Sequence, residues 1–177
     1  MRAIEITATG GADVLVLHEV PEPVAGPGQA VVRVEAAGVN FIDVYVREGR
    51  YPAQLPLVPG QEAAGTIVAV GDGVTTVKAG DRVAWCSVLG TYAEYAVAPV
   101  DRLVAVPDGI SSEQAAAAML QGMTAHYLAH TTYPIRNGDE VLVHAGAGGV
   151  GLLLTQMAKA LGARVFTTVS TEEKAAL

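Results

Sequence analysis

The sequence is poor in the residues that disulfide-linked, nucleic-acid-binding and membrane-spanning proteins need. Its one cysteine, Cys86, excludes an intrachain disulfide and a thiolate-rich zinc site. Only 11 residues are Lys or Arg, the net charge is −7, and no basic stripe forms, so we expect no nucleic acid as a main partner. The longest apolar runs fall short of the roughly 20 residues that cross a bilayer. We therefore expect a cytoplasmic globular protein that does not use a membrane.

Aromatic residues are also scarce, at 5%, whereas the 177 residues include 20 glycines and 9 prolines and are 51% hydrophobic. This composition supports a folded core with many turns, and the length favours one domain and a piece of a second. Residues 1–106 read as short β-branched strands separated by Gly and Pro, one of them over residues 92–97, and this pattern is typical of an all-β barrel or sandwich. One helical insert is predicted from about Phe41 to Glu48.

The pattern changes at Ser111, where a capping box with Gln114 predicts a helix that runs to about His130. A strand over residues 141–144 is then predicted, followed by a glycine turn over 146–151 that leads into a helix over about 150–161. A second strand over 164–169 and a helix that Ser170 opens come next. A strand, helix and strand in this order form a βαβ unit with a parallel sheet. The fold class is therefore α+β in the first part of the chain and α/β in the second.

The glycine turn has the pattern G-x-G-x-x-G. It follows a predicted strand and opens a predicted helix, which is the context that dinucleotide binding requires. The first glycine would permit a tight turn, the second a close approach of the backbone to a pyrophosphate, and the third close packing of helix and strand. The helix N-terminus would supply N–H groups to the pyrophosphate. The predicted cofactor-binding residues of the turn are Gly146, Gly148, Gly149, Val150 and Gly151. The alternative is an ordinary glycine turn.

The end of the second predicted strand should contact the cofactor's ribose. An NAD site usually has an acidic residue there, but this strand ends in Val169, followed by Ser170 and Thr171, with Lys174 one turn later. Hydroxyls and a cation suit a 2′-phosphate, so we predict NADP(H) bound by Ser170, Thr171 and Lys174. Alternatively, Ser170 begins a capping box, Lys174 is solvated, and Glu172 or Glu173 reaches a 2′-hydroxyl.

Two further segments carry a family resemblance: AAGVNFIDVY at residues 36–45 and PGQEAAG at residues 59–65. Together with the glycine turn and with LQGMTA at residues 120–125, they resemble the zinc-free quinone oxidoreductases, the zeta-crystallin-like family of the medium-chain dehydrogenase/reductase superfamily. The resemblance implies a GroES-like β-rich catalytic domain over residues 1–128. It also implies the first part of a Rossmann domain over residues 129–177, an active site in the cleft between the two, and a homo-oligomer when full length.

Zinc-dependent relatives carry a catalytic Cys near the position of Gly38 and a His at the position of Gln61, and this sequence has neither. His126 and His130 are spaced to share a helix face, but two nitrogens without a third ligand do not make a zinc site. We therefore predict no metal. Chemistry without a Lewis acid suits an acceptor that is already electrophilic, such as a quinone or a conjugated alkene.

By resemblance, Asn40, Asp43 and Tyr45 are the predicted catalytic residues beside the nicotinamide. Asn40 and Tyr45 would hold a quinone oxygen, Tyr45 would also contact the cofactor, and Asp43 would orient both. Thr124 would contact the nicotinamide. The alternatives are structural: Asn40 as a helix N-cap with Asp43 in the first turn, Tyr45 as a core aromatic, and Thr124 as a helix threonine bonded to its own backbone. Tyr51 is expected to border the substrate entrance.

The sequence thus favours an NADPH-dependent quinone oxidoreductase. The alternatives are an enoyl or alkenal reductase of the same superfamily and, from another class, a non-catalytic structural or nucleotide-binding module or an inactive fragment. The predicted dinucleotide domain contains only β1, αA, β2 and the start of αB, and two parallel strands would leave apolar surface uncovered. We therefore expect the 177-residue chain by itself to be a fragment that binds NADPH weakly or not at all and has no measurable turnover.

Overall fold

A computed structural model describes residues 1–177. The chain forms two compact units, Met1–Met119 and Leu120–Leu177, and the division falls inside one helix. The predicted domain limits, 1–128 and 129–177, stay a prediction. None of the helices has both the length and the apolar character needed to cross a membrane.

The first unit is built on antiparallel strands, as its β-branched runs predict. Its strands are β1 (Arg2–Glu5), β2 (Val16–Glu19), β3 (Gln29–Ala37), β4 (Glu62–Val70), β5 (Arg82–Cys86), β6 (Tyr95–Pro99) and β7 (Val104–Ala105). Five of them form one sheet in the order β6-β3-β4-β5-β7, and β1 and β2 form a separate ribbon. The sheet therefore has two edges, β6 and β7, and the unit has one short α-helix before β4, α1 (Phe41–Arg47).

Small side chains fill much of the core around this sheet. One cluster surrounds Trp85, Ile67 and Val83 and includes four buried alanines, and a second joins Ala64 and Ala84 of the sheet to Ala115 and Ala116 of a helix. Alanines are 12 of the 20 buried apolar residues of the chain. Protein interiors are close-packed, so alanine-rich faces bring backbones close together. The sheet and the helix against it consequently have little room for larger side chains.

The predicted capping box starts the helix α2 (Ser112–Tyr127). The Gln114 N–H donates to Ser111 Oγ at 3.2 Å, and the Ser111 N–H donates to Gln114 Oε1 at 3.1 Å, so two of the N–H groups at this terminus are satisfied reciprocally. The prediction of an α-helix to about His130 is wrong at its end. The α-helix stops at Tyr127, and one π-helical turn, Leu128–Thr132, follows.

The second unit contains the predicted βαβ arrangement. Strand β8 (Glu140–Val143) pairs in parallel with β9 (Arg164–Thr167), and helix α3 (Gly149–Ala160) connects them. Gly162 follows α3 with φ +85°, the left-handed conformation that glycine adopts at little cost after a helix. Leu142 and Phe166 lie opposite each other in register and are 60% and 44% exposed. This sheet of two parallel strands therefore has the uncovered apolar surface that its small number of strands predicts.

Two element starts differ from their predictions. A strand over residues 92–97 is predicted, but β6 begins at Tyr95, because Tyr92 lies in the preceding loop and its N–H donates to the Pro59 carbonyl. A helix beginning at Ser170 is predicted, but the N-cap is Thr171, whose Oγ1 accepts from the Lys174 N–H at 3.3 Å. Helix α4 (Glu172–Ala175) therefore starts one residue later, and the Ser170 hydroxyl is not its cap.

Candidate functional site

The candidate site of the first unit is organised around Asn40, the N-cap residue of α1. Its backbone is extended, with φ −126° and ψ 154°, and its N–H donates to Asp43 Oδ2 at 2.9 Å. This bond is the carboxylate half of a capping box, and it places a negative charge in the first turn of the helix, where the helix dipole favours it. The structural alternative for Asn40 and Asp43 is therefore present in the fold.

The Asn40 side chain makes a separate contact that the N-cap role does not require. Its Nδ2 donates to Oε2 of Glu62 at 2.8 Å. Glu62 is the first residue of β4 and is fully buried, and the opposite residue on β5 is Cys86. A buried carboxylate is costly unless hydrogen bonds satisfy it, so this contact stabilises both partners.

Gly38 is the residue that lets the Glu62 carboxylate reach this place. A Cβ built at Gly38 would overlap with Oε2, Cδ and Cγ of Glu62. The Gly38 N–H also donates to the Glu62 carbonyl at 2.9 Å, so backbone and side chain of Glu62 both lie against it. Any larger residue at 38 would have to displace the buried carboxylate.

Asp43 is a second buried carboxylate at the same helix terminus, 6% exposed. The Tyr92 hydroxyl donates to Asp43 Oδ2 at 2.8 Å, and Asp43 Oδ1 is buried without a hydrogen-bond partner. Burial raises the pKa of Tyr92 above its ordinary value, and the hydrogen bond to Asp43 and the charges of Asp43 and Glu62 raise it further. The phenol therefore stays protonated near neutral pH and acts as a donor to the carboxylate.

A cavity of about 320 Å³ opens beside this network, within the first unit. Its polar lining consists of Asn40, Asp43, Tyr92 and Arg47, and the remainder of the lining is apolar: Ile4, Leu15, Val39, Val44 and Pro59. The Arg47 Nε donates to the Gly10 carbonyl at 3.1 Å, so this charge is held by the chain itself. An apolar cavity with a few convergent polar groups is the usual form of a small-molecule site.

Tyr45, the third predicted catalytic residue, is not among the residues that line this cavity. Its ring meets the edge of Tyr51 with centroids 5.7 Å apart, and the Arg50 guanidinium lies 5.5 Å from its centroid. Arg50 is also paired with Glu48 at 2.9 Å. The structure thus brings Asn40 and Asp43 together and places Tyr45 in a separate aromatic cluster with Tyr51, the residue predicted to border the substrate entrance.

The predicted dinucleotide turn lies between β8 and α3. Gly148 is the N-cap of α3, so Gly149, Val150 and Gly151 form its first turn, where N–H groups lack acceptors within the helix. A Cβ at Gly151 would overlap with the Ala145 carbonyl and the Gly146 backbone, so the third glycine lets the first turn of α3 approach the turn that follows β8.

The role predicted for the first glycine is different in the structure. Gly146 has no positive φ; instead Ala145, just before it, has φ 52°. A Cβ at Gly146 would overlap with the Thr167 side chain, so this glycine is required for contact with β9. The tight turn is made by a non-glycine residue in a conformation that costs L-residues energy.

The residues predicted to hold a 2′-phosphate lie just after β9. Lys174 Nζ donates to Ser170 Oγ at 3.1 Å, and both residues are exposed. Because Thr171 caps α4, the hydroxyl of Ser170 is available to the lysine. The structure therefore pairs one hydroxyl with one cation, while the Thr171 hydroxyl is occupied by the Lys174 N–H.

Two other residues singled out in α2 and the π-helical turn make local contacts. Thr124 Oγ1 donates to the Leu120 carbonyl at 2.6 Å, the backbone-bonded arrangement given above as its structural alternative. The rings of His126 and His130 stack with centroids 4.2 Å apart, and His130 Nδ1 lies 2.9 Å from the His126 carbonyl. The role of Thr124 toward a cofactor stays a prediction.

Known proteins are similar to this chain over nearly all of its length. Residues 26–108 match the alcohol dehydrogenase GroES-like domain. Over 99% of its length the chain is 49% identical to a quinone oxidoreductase of Pseudomonas aeruginosa, of which it covers 55%. Over nearly its whole length the chain is similar to quinone oxidoreductases. The resemblance stated from its motifs is confirmed.

Other known proteins show the same extent of similarity to this chain. The structure of mycobacterial Rv1454c complexed with NADPH is 54% identical, with a TM-score of 0.97 over 99% of this chain and 55% of that one. A 2-haloacrylate reductase of Burkholderia is 44% identical over 98% of this chain and 54% of its own length. The chain therefore spans about half the length of the curated relatives it matches.

Sequence reasoning did not name Glu62 or Tyr92 as site residues. Glu62 had a signal, because it is a lone charge at the start of the small, apolar strand β4, and a buried charge in a strand needs a partner. Tyr92 had none, since its hydroxyl meets a residue 49 positions away. The assignment of Asn40, Asp43 and Tyr45 to catalysis stays a prediction.

Proposed function

We propose that the protein is an NADPH-dependent quinone oxidoreductase that transfers a hydride from the nicotinamide to a quinone without zinc. The observation that carries this proposal is the similarity of 99% of the chain to quinone oxidoreductases, together with a TM-score of 0.97 to a family structure that holds NADPH. Residues of both units fit that cofactor and acceptor.

The second unit fits a dinucleotide phosphate. The first turn of α3 offers N–H groups and the positive end of a helix dipole to a pyrophosphate. Because Gly151 has no Cβ, the first turn of α3 lies close to the Ala145 carbonyl and the Gly146 backbone. Ser170 and Lys174 would hold a 2′-phosphate through one hydroxyl and one ammonium group, an arrangement that favours NADP(H) over NAD(H).

The first unit fits a neutral acceptor with a polar oxygen. When bound, the reduced nicotinamide supplies the hydride. Asn40 would hold the acceptor oxygen through its amide, Asp43 would keep the Asn40 backbone in place, and the apolar cavity wall would exclude water. Tyr92 would hold Asp43 by donating its hydroxyl proton to the carboxylate.

The natural gene product tests the proposal with NADPH and p-benzoquinone, monitored by the absorbance of the reduced nicotinamide. We expect quinone-dependent oxidation of NADPH in preference to NADH. An NADPH titration by fluorescence, run in parallel, addresses the alternative from another class: a folded protein that does not bind NADPH is a non-catalytic module. NADPH binding without turnover of any quinone would refute the proposed reaction.

A second candidate function is reduction of a C=C bond conjugated to a carbonyl group. The 44% identity to a 2-haloacrylate reductase favours it. A panel of 2-haloacrylates, alkenals and enoyl thioesters under the same conditions separates the two, since turnover of these substrates with no quinone turnover would select the second. Cytoplasmic location and homo-oligomerisation stay proposals; light scattering of the natural gene product measures the latter.

A further inference from the structure

Glu62 has a buried charge that the proposed reaction does not use directly. It is fully buried, its neighbours in β4 are Ala63 and Ala64, and it is not among the residues that line the cavity. The bond from the Gly38 N–H involves only its backbone carbonyl and would form with any side chain at 62. Because burying an ionised carboxylate is unfavourable, the carboxylate at this position calls for a specific interaction to offset it.

The contact with Asn40 supplies one. An asparagine side chain ends in an oxygen that accepts and a nitrogen that donates, and an ionised carboxylate only accepts. Glu62 Oε2 can therefore face only the Nδ2 end of the amide, at 2.8 Å. The reverse orientation would place two acceptors against each other in a buried site.

We propose that Glu62 is a positioning residue that holds the Asn40 amide in one orientation, with Nδ2 toward the carboxylate, Oδ1 toward the Asp43 N–H of the capping box and the second N–H of the amide presented to the acceptor. The proposal deepens, and rests on, the function proposed above. It needs no contact between Glu62 and the acceptor, because Glu62 acts through Asn40. The carboxylate is itself confined, because it lies directly against Gly38, in the space that a side chain at that position would occupy.

The backbone of Asn40 is fixed independently of its side chain. Asp43 Oδ2 accepts from the Asn40 N–H, and Tyr92 holds the same oxygen. Two different carboxylates thus bind the two N–H-bearing parts of one residue. Oδ1 accepts from the Asp43 N–H in the capping box, so the remaining N–H of the amide is the group that matches the carbonyl oxygen of a quinone.

The sequence makes a direct test possible, because it contains only two asparagines, Asn40 and Asn137. Incorporation of isotope-labelled asparagine gives two side-chain amide pairs in a proton–nitrogen NMR spectrum, and Asn40→Ser assigns them. Asn137 is exposed and serves as the internal reference. We expect one Asn40 proton to be shifted downfield and to exchange with solvent about tenfold more slowly than those of Asn137, as a charge-assisted hydrogen bond requires.

Glu62→Gln keeps the size of the side chain and removes its charge. In this variant we expect the two Asn40 protons to move closer together and to exchange faster, because the neutral amide oxygen of Gln is a weaker acceptor than the Glu62 carboxylate. Glu94→Gln is the matched control: this exposed carboxylate pairs with Arg2 at 2.7 Å, and its loss should leave the Asn40 signals unchanged. Asn40 protons that resemble those of Asn137 in the unsubstituted chain would overturn the proposal, even if Glu62→Gln fails to fold.

A kinetic arm uses the natural gene product. Glu62→Gln should lower kcat/KM for p-benzoquinone about tenfold while leaving the Kd for NADPH unchanged, since orientation of the acceptor is what the variant loses. Unchanged kcat/KM in the folded variant would also overturn the positioning role. If the unsubstituted protein reduces no quinone, the proposed function fails, and the NMR measurement still decides whether Glu62 holds Asn40.

Discussion

The hydrogen bond from Tyr92 to Asp43 can be measured as a stability term with a characteristic pH dependence. Tyr92→Phe removes the hydroxyl that donates to Asp43 Oδ2 at 2.8 Å, while the Asn40 N–H still donates to the same oxygen. Hydrogen bonds to charged groups contribute about 1.5–3 kcal/mol, and Tyr92 is only half-buried, so we expect a loss of roughly 2 kcal/mol of unfolding free energy at pH 7.

The pH dependence follows from the raised pKa of Tyr92, which is due first to burial and then to Asp43. A tyrosine in the unfolded chain ionises near a pKa of about 10, and the folded chain resists that ionisation. The stability contribution is therefore complete below pH 10 and is lost as the pH rises toward the folded-state pKa. At a pH of about 11 the difference between the unsubstituted chain and Tyr92→Phe should shrink by roughly 1 kcal/mol.

Urea unfolding followed by tryptophan fluorescence is a suitable assay. The chain has one tryptophan, Trp85, which is fully buried in the first unit. Tyr133→Phe, at a residue 58% exposed in the second unit, is the control and should change stability at pH 7 by less than about 0.5 kcal/mol. If Tyr92→Phe costs nothing at pH 7, or its cost is the same at pH 7 and pH 11, the hydrogen bond does not have the role assigned to it.

Three further predictions concern the second unit. Ala145→Gly should raise its unfolding free energy by about 1 kcal/mol in hydrogen exchange, because φ 52° costs alanine and not glycine; a lower stability would contradict the strain. Gly151→Ala should lower the stability by about 2 kcal/mol or more and weaken NADPH binding, since the new Cβ meets the backbone of the turn at Ala145 and Gly146. An unchanged thermal midpoint would count against that packing. In the natural gene product, Lys174→Ala should raise the Kd for NADPH roughly fivefold in a fluorescence titration without changing that for NADH. Lys159→Ala, at an exposed residue of α3, should change neither.

Local patterns predicted most of the secondary structure because each depends on residues close in sequence. The Ser111–Gln114 capping box starts α2, and Gly162 follows α3, as their residue types indicate. The errors also have local causes: two hydroxyl residues, Ser170 and Thr171, compete to cap one helix, and the pattern S-x-x-E selects the wrong one. The π-helical turn after Tyr127 has no side-chain signature that separates it from a continuing α-helix.

The candidate site is harder to predict because its contacts join distant segments. Asn40 and Asp43 were identified from one motif, but the residue that holds the Asn40 amide lies 22 positions away, and the residue that holds Asp43 lies 49 positions away. The glycine turn shows the same limit. Its pattern identifies the phosphate-binding segment, yet the need for Gly146 comes from Thr167 on the neighbouring strand.

The alanine-rich core has a consequence for how the protein tolerates random mutation. In most cores the damaging changes are truncations that leave cavities, but a buried alanine has almost nothing to truncate. The damaging substitutions at buried alanines are those that enlarge the side chain, because added methyl groups force the backbones apart. This applies at Ala63, Ala64, Ala84 and Ala116, which are buried on or against the sheet. Every alanine codon becomes a valine codon by one base change, so this enlargement is readily accessible to mutation. Destabilising substitutions in this fold should therefore be enriched in alanine-to-valine changes.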